Sequence, residues 1–281
     1  MADGNCVIRN RQSTGPALAG AIEHPRALRL LIYNQAMARF LIPIVVLCLL
    51  TGDALGQSTE AEFHIARVKY SSGYAERAWR PWWAIDYPEA EFHVTRGLNR
   101  LTSTRVADDS IHLRLTDPEI FDYPWLLIQQ VGHWRLSLEE VAALREFVQR
   151  GGFVVLDDFH GEHEWSIVRD TLSQAFPEWP ISPLPLDHEL MQVFYELDQE
   201  TQIPGKRHLY RTASGQVDAY LRGPARWYGI SDDDGRLVVA INFNMDMGDA
   251  WEHADDPEYP LPMTSLAYRF AVNYVVYAMT H

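Results

Sequence analysis

Cysteine is scarce in this sequence. The 281 residues include only Cys6 and Cys48, and both precede residue 57. A chain cleaved after residue 56 therefore contains no thiol. This would exclude a disulfide, a cysteine nucleophile and a sulfur metal ligand from the remaining part.

Long uninterrupted apolar runs are also missing near the N-terminus. The run from Phe40 to Leu50 is shorter than the roughly 20 residues that span a bilayer, and Pro43 lies within it. Arg39 precedes this run, and Ala54-Leu55-Gly56 after it is a small-x-small cleavage pattern. We predict a signal peptide at 37–56 and export to the periplasm or the extracellular space. The alternative is an uncleaved segment 40–56 that anchors the chain to the inner membrane.

The first 36 residues carry no clear structural pattern. We expect residues 1–36 to be unstructured, or to be an upstream extension from a misplaced start, so that the chain begins at either Met1 or Met37. Residues 60–281 are predicted to form a single α/β domain, because no low-complexity linker or internal repeat divides them.

Basic residues are fewer than acidic residues in this sequence. The sequence has 24 Lys and Arg against 38 Asp and Glu, a net charge of −14. Removal of segment 1–56, with its five arginines and three acidic residues, changes the net charge to −16. Such a charge disfavours nucleic acid and anionic lipid as main partners. A small molecule, a carbohydrate or proteins of the cell envelope remain as expected partners.

The part of the chain after residue 60 alternates between strand and helix patterns. The clearest helix begins with the capping box Ser137 and Glu140 and ends at Gly151. Its apolar stripe is predicted from four residues: Leu138, Val141, Leu144 and Val148. Further strands are predicted at 63–70, 111–115 and 124–132, and further helices at 88–101, with Phe92 and Leu101 facing inward, and at 164–175.

The segment GGFVVLDDFHGEHEW, residues 151–165, follows that helix. Four consecutive apolar residues, Phe153 to Leu156, are typical of a strand covered on both faces in a parallel sheet. The strand and helix order predicts a doubly wound, mostly parallel sheet flanked by helices. Later we expect a loop at 177–185, a strand or a helix at 186–197, a β-hairpin within 226–244 and a C-terminal helix at 262–278.

Several stretches together resemble a bacterial protein family. They are FHIARVKY, DPEIFDYPWLLIQQVGHWRLSLEEVAALREFVQRGGFVVLDDF, LPLDHELMQVFYEL and DGRLVVAINFN before MGDAW. The chain is identified on them as a member of domain of unknown function family 4159. That family is similar to class I glutamine amidotransferase-like domains, so the resemblance implies a flavodoxin-like sheet, and it brings no established activity. Some relatives resemble parts of bacterial envelope systems.

The amidotransferase likeness does not extend to its chemistry. Such enzymes place a cysteine on the turn after a central strand, where this chain has Asp157-Asp158-Phe159-His160-Gly161. Glutaminase activity is therefore excluded, and no G-x-S-x-G motif supports a serine hydrolase.

Ligands of open α/β sheets gather beyond the carboxyl ends of the strands. Polar and aromatic residues that follow the predicted strands are expected to form a ligand-binding rim there: Ser72, Trp82, Trp83, His133, Trp134, Asp157, Asn242, Asn244 and Asp246. The alternatives are that the tryptophans fold over the sheet edge as core, and that one of Asp157 and Asp158 caps a helix while the other binds backbone amides. Adjacent strand residues point to opposite faces, so Asp157 and Asp158 both face one ligand only if the strand has already ended, and Asp158 is the preferred one of the two.

Carboxylate and imidazole groups in this region suit Zn, Mn or Fe. The metal-ligand candidates are Asp158, His160, His163 and His188, although their spacing matches no H-E-x-x-H signature. A divalent metal is the only cofactor that the residues suggest, and exposed or structural histidines are the alternative.

Two functional hypotheses follow. The first is a non-catalytic ligand-binding or assembly module of the cell envelope. The second is a hydrolase in which Asp158, with His160 or His188, activates water directly or through a metal.

Overall fold

The computed structural model describes residues 60–73, 79–197, 201–219 and 222–281. The predicted signal peptide at 37–56, the preceding residues 1–36 and both cysteines lie outside the described residues. Residues Glu60–His281 form one compact unit.

The structure contains a seven-stranded sheet and a separate two-stranded hairpin. The strands are β1 Ala66–Val68, β2 Ile111–Leu113, β3 Trp125–Gln129, β4 Phe153–Phe159, β5 Ser182–Pro183, β6 Leu209–Arg211, β7 Val217–Ala219, β8 Arg226–Ser231 and β9 Leu237–Phe243. The large sheet has the order β2-β1-β3-β4-β9-β8-β5, and β6 pairs with β7. The first five strands of this order run parallel to one another, β8 pairs antiparallel with β9, and β5 pairs antiparallel with β8. The predicted doubly wound, mostly parallel sheet is confirmed, and its leading order is that of flavodoxin-like folds.

Strand β4 lies at the centre of the sheet, between β3 and β9, and all seven of its residues are buried. The apolar residues Phe153 to Leu156 predicted that this strand is covered on both faces. The strand continues three residues further than its apolar run, through Asp157 and Asp158 to Phe159. Its pairing with β9 is irregular between Leu156 and Phe159.

Helices cover both faces of the sheet. They are α1 Glu89–Leu101, α2 Leu138–Gln149, α3 Gly161–Ala175, α4 Met247–Glu252 and α5 Leu261–Thr280. Leu127 and Val155 share a core with α1, α4 and α5. Their strand neighbours Leu126 and Val154 share the other core with α2 and α3. The alternation of side chains along each strand thus supplies both cores.

The start of α2 confirms the predicted capping box. The Ser137 hydroxyl accepts from the Glu140 amide at 3.2 Å, and the Glu140 carboxylate accepts from the Ser137 amide at 2.8 Å. Gly151 follows the helix with φ +101°. Leu138, expected in the apolar stripe, is 82% exposed because it occupies the first turn of the helix.

The inward face predicted for α1 is wrong. Phe92 and Leu101 are 47% and 41% exposed, whereas Ala90, Val94 and Leu98 face the core. These three recur every four residues, so they form one stripe, and Phe92 lies two residues away from it on the opposite side of the helix.

The predicted hairpin within 226–244 and the C-terminal helix are confirmed as β8–β9 and α5. Segment 186–197, expected as a strand or a helix, contains only a short 3-10 turn at Glu189–Met191. The Asn273 side chain explains this, because its Nδ2 donates to the carbonyls of Leu190 and Tyr195 and its Oδ1 accepts from the Tyr195 backbone N–H, each at 2.8 Å. A side chain of α5 thus forms the hydrogen bonds that these backbone groups would form with one another in a helix or a sheet. No helix within the described ranges combines the length and the apolar character needed to cross a membrane.

Candidate functional site

The strand order changes direction between β1 and β3. From β1 the chain passes through α1 to β2 on one side, whereas β3, β4 and β9 follow one another on the other side. In open α/β sheets the crevice at the carboxyl ends of such strands is the usual ligand position. The residues that follow these strands are therefore the first candidates for a binding site.

Backbone strain is concentrated at this edge. Four described residues other than glycine have left-handed φ angles: Asp86 (65°), Gln130 (53°), Asp158 (54°) and Asn244 (60°). Asp86 lies between β1 and α1, Gln130 follows β3, Asp158 is near the end of β4 and Asn244 follows β9. Such conformations cost free energy and cluster at functional sites.

A cleft of about 580 Å³ lies at the same edge. It is lined by Arg80, Ile85, Asp86, Gln130, Asp158, Lys206, Arg207, Leu209, Asp246, Asp249, Glu252 and His253. A second cavity of about 400 Å³ shares Gln130 and Arg207 with it and is further lined by Trp82, His133, His160, Glu164, His208 and Arg222. Volumes of this size suit a small polar ligand.

Asp158, His160 and Asp246 form a buried cluster. One ligand atom from each lies within 4.8 Å of the others. The Asp158 Oδ1 atom is 3.2 Å from His160 Nε2, and Asp158 Oδ2 accepts from the Gln130 side-chain nitrogen Nε2. Asp246 is the N-cap of α4, and its carboxylate accepts from the Asp249 backbone N–H at 3.0 Å. The predicted Asp158 and His160 pair thus meets a third residue from the rim set.

The carboxylates of the cleft repel one another in a buried setting. Burial and, next, the Asp158 carboxylate raise the pKa values of Asp86 and Asp246 well above the usual range. Burial and then Asp249 raise the pKa of Glu252 to about 7. Asp86 Oδ2 is buried without a hydrogen-bond partner among the described residues.

A buried arginine orders the loop that carries Asp86. Arg67 of β1 pairs with Glu91 and donates to the carbonyls of Trp83 and Ile85 at 3.0 and 2.8 Å. It also donates to Gln129 Oε1 at 2.7 Å. The arginine thereby ties the loop before α1 to the ends of β1 and β3.

Asp157 faces away from the cleft. Its carboxylate accepts from Asn242 at 3.1 Å and from the amides of Met247 and Gly248 at 2.8 and 3.2 Å. Burial and, next, Asp158 raise the pKa of Asp157 to about 6. Asn242 also accepts from the Tyr274 hydroxyl at 2.6 Å. Asp157 and Asn242, both expected at the rim, instead connect the end of the sheet to α4 and α5.

The other rim candidates divide into two groups. Trp82 stacks on His133 with ring centres 3.7 Å apart, and both line the smaller cavity with His160. Trp83, Trp134, Ser72 and Asn244 line neither cavity. Trp83 packs against the core and Trp134 is buried in it.

The remaining two of these residues, Ser72 and Asn244, are buried outside both cavities. Asn244 accepts from the Gly161 amide and donates to the Pro224 carbonyl, both at 2.9 Å. These four residues therefore belong to the protein interior around the site and do not line either cavity.

Two predicted histidines do not join the cluster. His188 accepts from the Leu190 amide at 3.1 Å and lies beside Tyr277, whose hydroxyl accepts from the amide of Leu237 at the start of β9. It therefore lies near the opposite end of β9, roughly 20 Å along the strand from the carboxyl edge. His163 is exposed on the first turn of α3.

Sequence reasoning missed several cleft residues. Gln129 and Gln130 form a polar pair at the end of an apolar strand, as Asp157 and Asp158 do. The same sequence pattern could therefore have indicated Gln130 as a cleft residue. Asp86 and the segment Lys206–His208 follow no strand pattern, and only the folded chain brings them to the cleft. Asp249, Glu252 and His253 form a second cluster of metal-ligand type on and after α4.

The model of one protein family matches most of the chain. The family is described as Domain of unknown function (DUF4159), and the match covers residues 64–279. The chain belongs to this family. No curated protein matches the chain. Membership agrees with the sequence resemblance, and the family description assigns no activity.

Proposed function

We propose that this member of the DUF4159 family is a non-catalytic ligand-binding module, with the cleft at the carboxyl edge as its binding site. The convergence of the left-handed residues Asp86, Gln130 and Asp158 on that cleft carries the proposal. A fold retains such strain where a fixed arrangement of side chains is needed. The leader-like sequence at 37–56 supports a place for the module in the cell envelope, outside the cytoplasm.

The expected ligand is a neutral sugar. The smaller cavity offers the Trp82 and His133 ring stack as an apolar surface, and the adjoining cleft offers Gln130, Asp158 and Arg207 as polar partners. Binding sites of this kind combine an aromatic face with a few polar groups that fix orientation. The negative net charge favours a neutral ligand over an anionic one.

Binding is tested with the full chain by saturation-transfer NMR in EDTA, with N-acetylglucosamine, cellobiose and maltose as probes. We expect at least one sugar to bind and its signal to be lost in Trp82→Ala. Trp79→Ala is the matched control, because Trp79 belongs to the same loop and lines neither cavity. No binding by any of the three sugars, or an equal loss in both variants, contradicts the proposal.

A hydrolase is the second candidate, favoured by the 3.2 Å separation of Asp158 and His160. A carboxylate that orients an imidazole is an arrangement suited to water activation. Its test is turnover of p-nitrophenyl acetate, phosphate and glucoside, with and without Mn²⁺. Turnover that is lost in His160→Ala and kept in His163→Ala would establish the hydrolase and reject the non-catalytic module.

A further inference from the structure

The cleft contains more negative than positive charge. Its lining includes five carboxylates, which are Asp86, Asp158, Asp246, Asp249 and Glu252, against the three cations Arg80, Lys206 and Arg207. Two of these cations are already engaged: Arg80 donates to the carbonyls of Ala84 and Tyr87, and Lys206 pairs with Asp256. The carboxyl groups of the cleft thus outnumber the cations that are available to pair with them.

Two buried carboxylates of this cleft and a histidine of the adjoining smaller cavity have the composition of a metal site. Asp158 and Asp246 each present a carboxylate oxygen and His160 an imidazole nitrogen, all within 4.8 Å of one another. Ligand bonds of about 2.0–2.2 Å place ligand atoms up to roughly 4.3 Å apart, so a small side-chain movement closes the set. Two oxygens and one nitrogen suit a first-row transition metal better than Ca²⁺.

A second observation is independent of that cluster. Asp86 is 3% exposed, lines the same cleft and has a carboxylate oxygen without a hydrogen-bond partner among the described residues. An unpaired buried carboxylate is costly, and a cation in the cleft removes that cost. Asp86 comes from the loop between β1 and α1, whereas Asp158 and His160 lie at the end of β4 and Asp246 caps the start of α4.

We propose that Asp158, His160 and Asp246 bind one divalent transition metal of the Mn²⁺ or Zn²⁺ class, with Asp86 adding negative charge beside it. This inference rests on the proposed function, since the metal occupies the same cleft.

Gly205 lies directly against the proposed site. A Cβ at this position would lie 2.5 Å from Asp246 Oδ2 and 2.7 Å from Asp249 Oδ2.

The test is calorimetric titration of EDTA-stripped, dialysed full-length protein with Mn²⁺. Mn²⁺ is the chosen probe because the thiols of Cys6 and Cys48 favour softer metals such as Zn²⁺. We expect one equivalent to bind at least tenfold more tightly than Mg²⁺. Asp158→Asn, His160→Ala and Asp246→Asn should each weaken binding at least tenfold, and Asp86→Asn by less.

The controls separate this site from other groups. His163→Ala and His188→Ala should bind Mn²⁺ as the wild type does, because neither histidine lies in the cluster. Gly205→Ala should weaken binding without removing any ligand, which a surface site would not show. Circular dichroism in EDTA confirms that each variant is folded, and an unfolded variant is replaced by its milder counterpart, His160→Gln or Asp158→Glu.

The outcomes are decisive in both directions. Absence of Mn²⁺ binding at millimolar concentration overturns the inference. Loss of binding in Glu252→Gln with retention in His160→Ala also overturns it, because the ion would then occupy the second cluster on α4. Sugar binding in EDTA is measured separately, so a failed metal site and a failed binding module give different results.

Discussion

Asp157 and Asp158 are consecutive residues of β4, and among the described residues their carboxylates share no hydrogen-bond partner. Asp157 binds Asn242 and the first amides of α4, whereas Asp158 binds Gln130 and His160 in the cleft. The left-handed φ of 54° at Asp158 accompanies the irregular pairing of β4 and β9 at this point. One residue therefore joins the sheet to a helix, and the next faces the candidate ligand.

Replacement of Asp157 should destabilise the fold. Asp157→Ala removes the buried acceptor of the backbone amides of Met247 and Gly248 and of one Asn242 Nδ2 hydrogen bond, so we expect a loss of about 3 kcal/mol in the free energy of unfolding. Asp157→Asn should cost less because it keeps the shape and one acceptor. Urea denaturation measures both, and equal stability of Asp157→Ala and the wild type would contradict the assignment.

The stability of the wild type relative to Asp157→Asn should depend on pH. The pKa of Asp157 is raised from 3.8 to about 6, so the folded state holds this proton over a range in which the unfolded state has released it. The stabilising contribution is thus complete below about pH 3.8 and is lost as the pH rises through about 6. The wild type should lose stability relative to Asp157→Asn across this interval, and an unchanged difference would argue against the raised pKa.

The architecture was largely predictable from the sequence, but the cleft was not. Apolar runs and the Ser137 capping box predicted β4, α2 and the doubly wound sheet, because these patterns are local. The cluster could not be assembled in this way, since Asp86, Asp158 and Asp246 come from three separate segments. His188 was predicted as a partner of Asp158 on chemistry alone, and the path of the chain places it at the other end of β9.

We expect the stability of the fold to depend on Arg67 and Glu91 both being present, because they form a buried ion pair. Both side chains are buried, so Arg67→Met leaves an uncompensated charge and is expected to cost about 3–5 kcal/mol. The double variant Arg67→Met/Glu91→Met should be more stable than Arg67→Met alone. Urea denaturation of the full cycle measures the coupling, and strictly additive effects would show that the two residues act independently.

Gly248 should resist substitution although it lies within a helix. An alanine in place of an open helical glycine usually stabilises by about 1 kcal/mol. Here a Cβ would collide with Gln129 Nε2 and Asp86 Oδ2, and both residues are buried. We therefore expect Gly248→Ala to lower the midpoint of thermal unfolding, and a raised midpoint would show that the cleft accommodates the methyl group.

His188 should act as a pH-sensitive structural group and not as a metal ligand. Its Nδ1 atom accepts from the Leu190 amide, which a protonated ring cannot do, and burial lowers the pKa of His188 below its usual 6.5. Its contribution to stability is therefore complete above about pH 6.5 and is lost as the pH falls through the lowered value. Asn retains an acceptor at this position and does not titrate, so the wild type should lose stability relative to His188→Asn between pH 7.5 and 5. Urea denaturation across this range, with His163→Asn as the exposed control, measures the effect, and parallel profiles for the wild type and His188→Asn would disprove it.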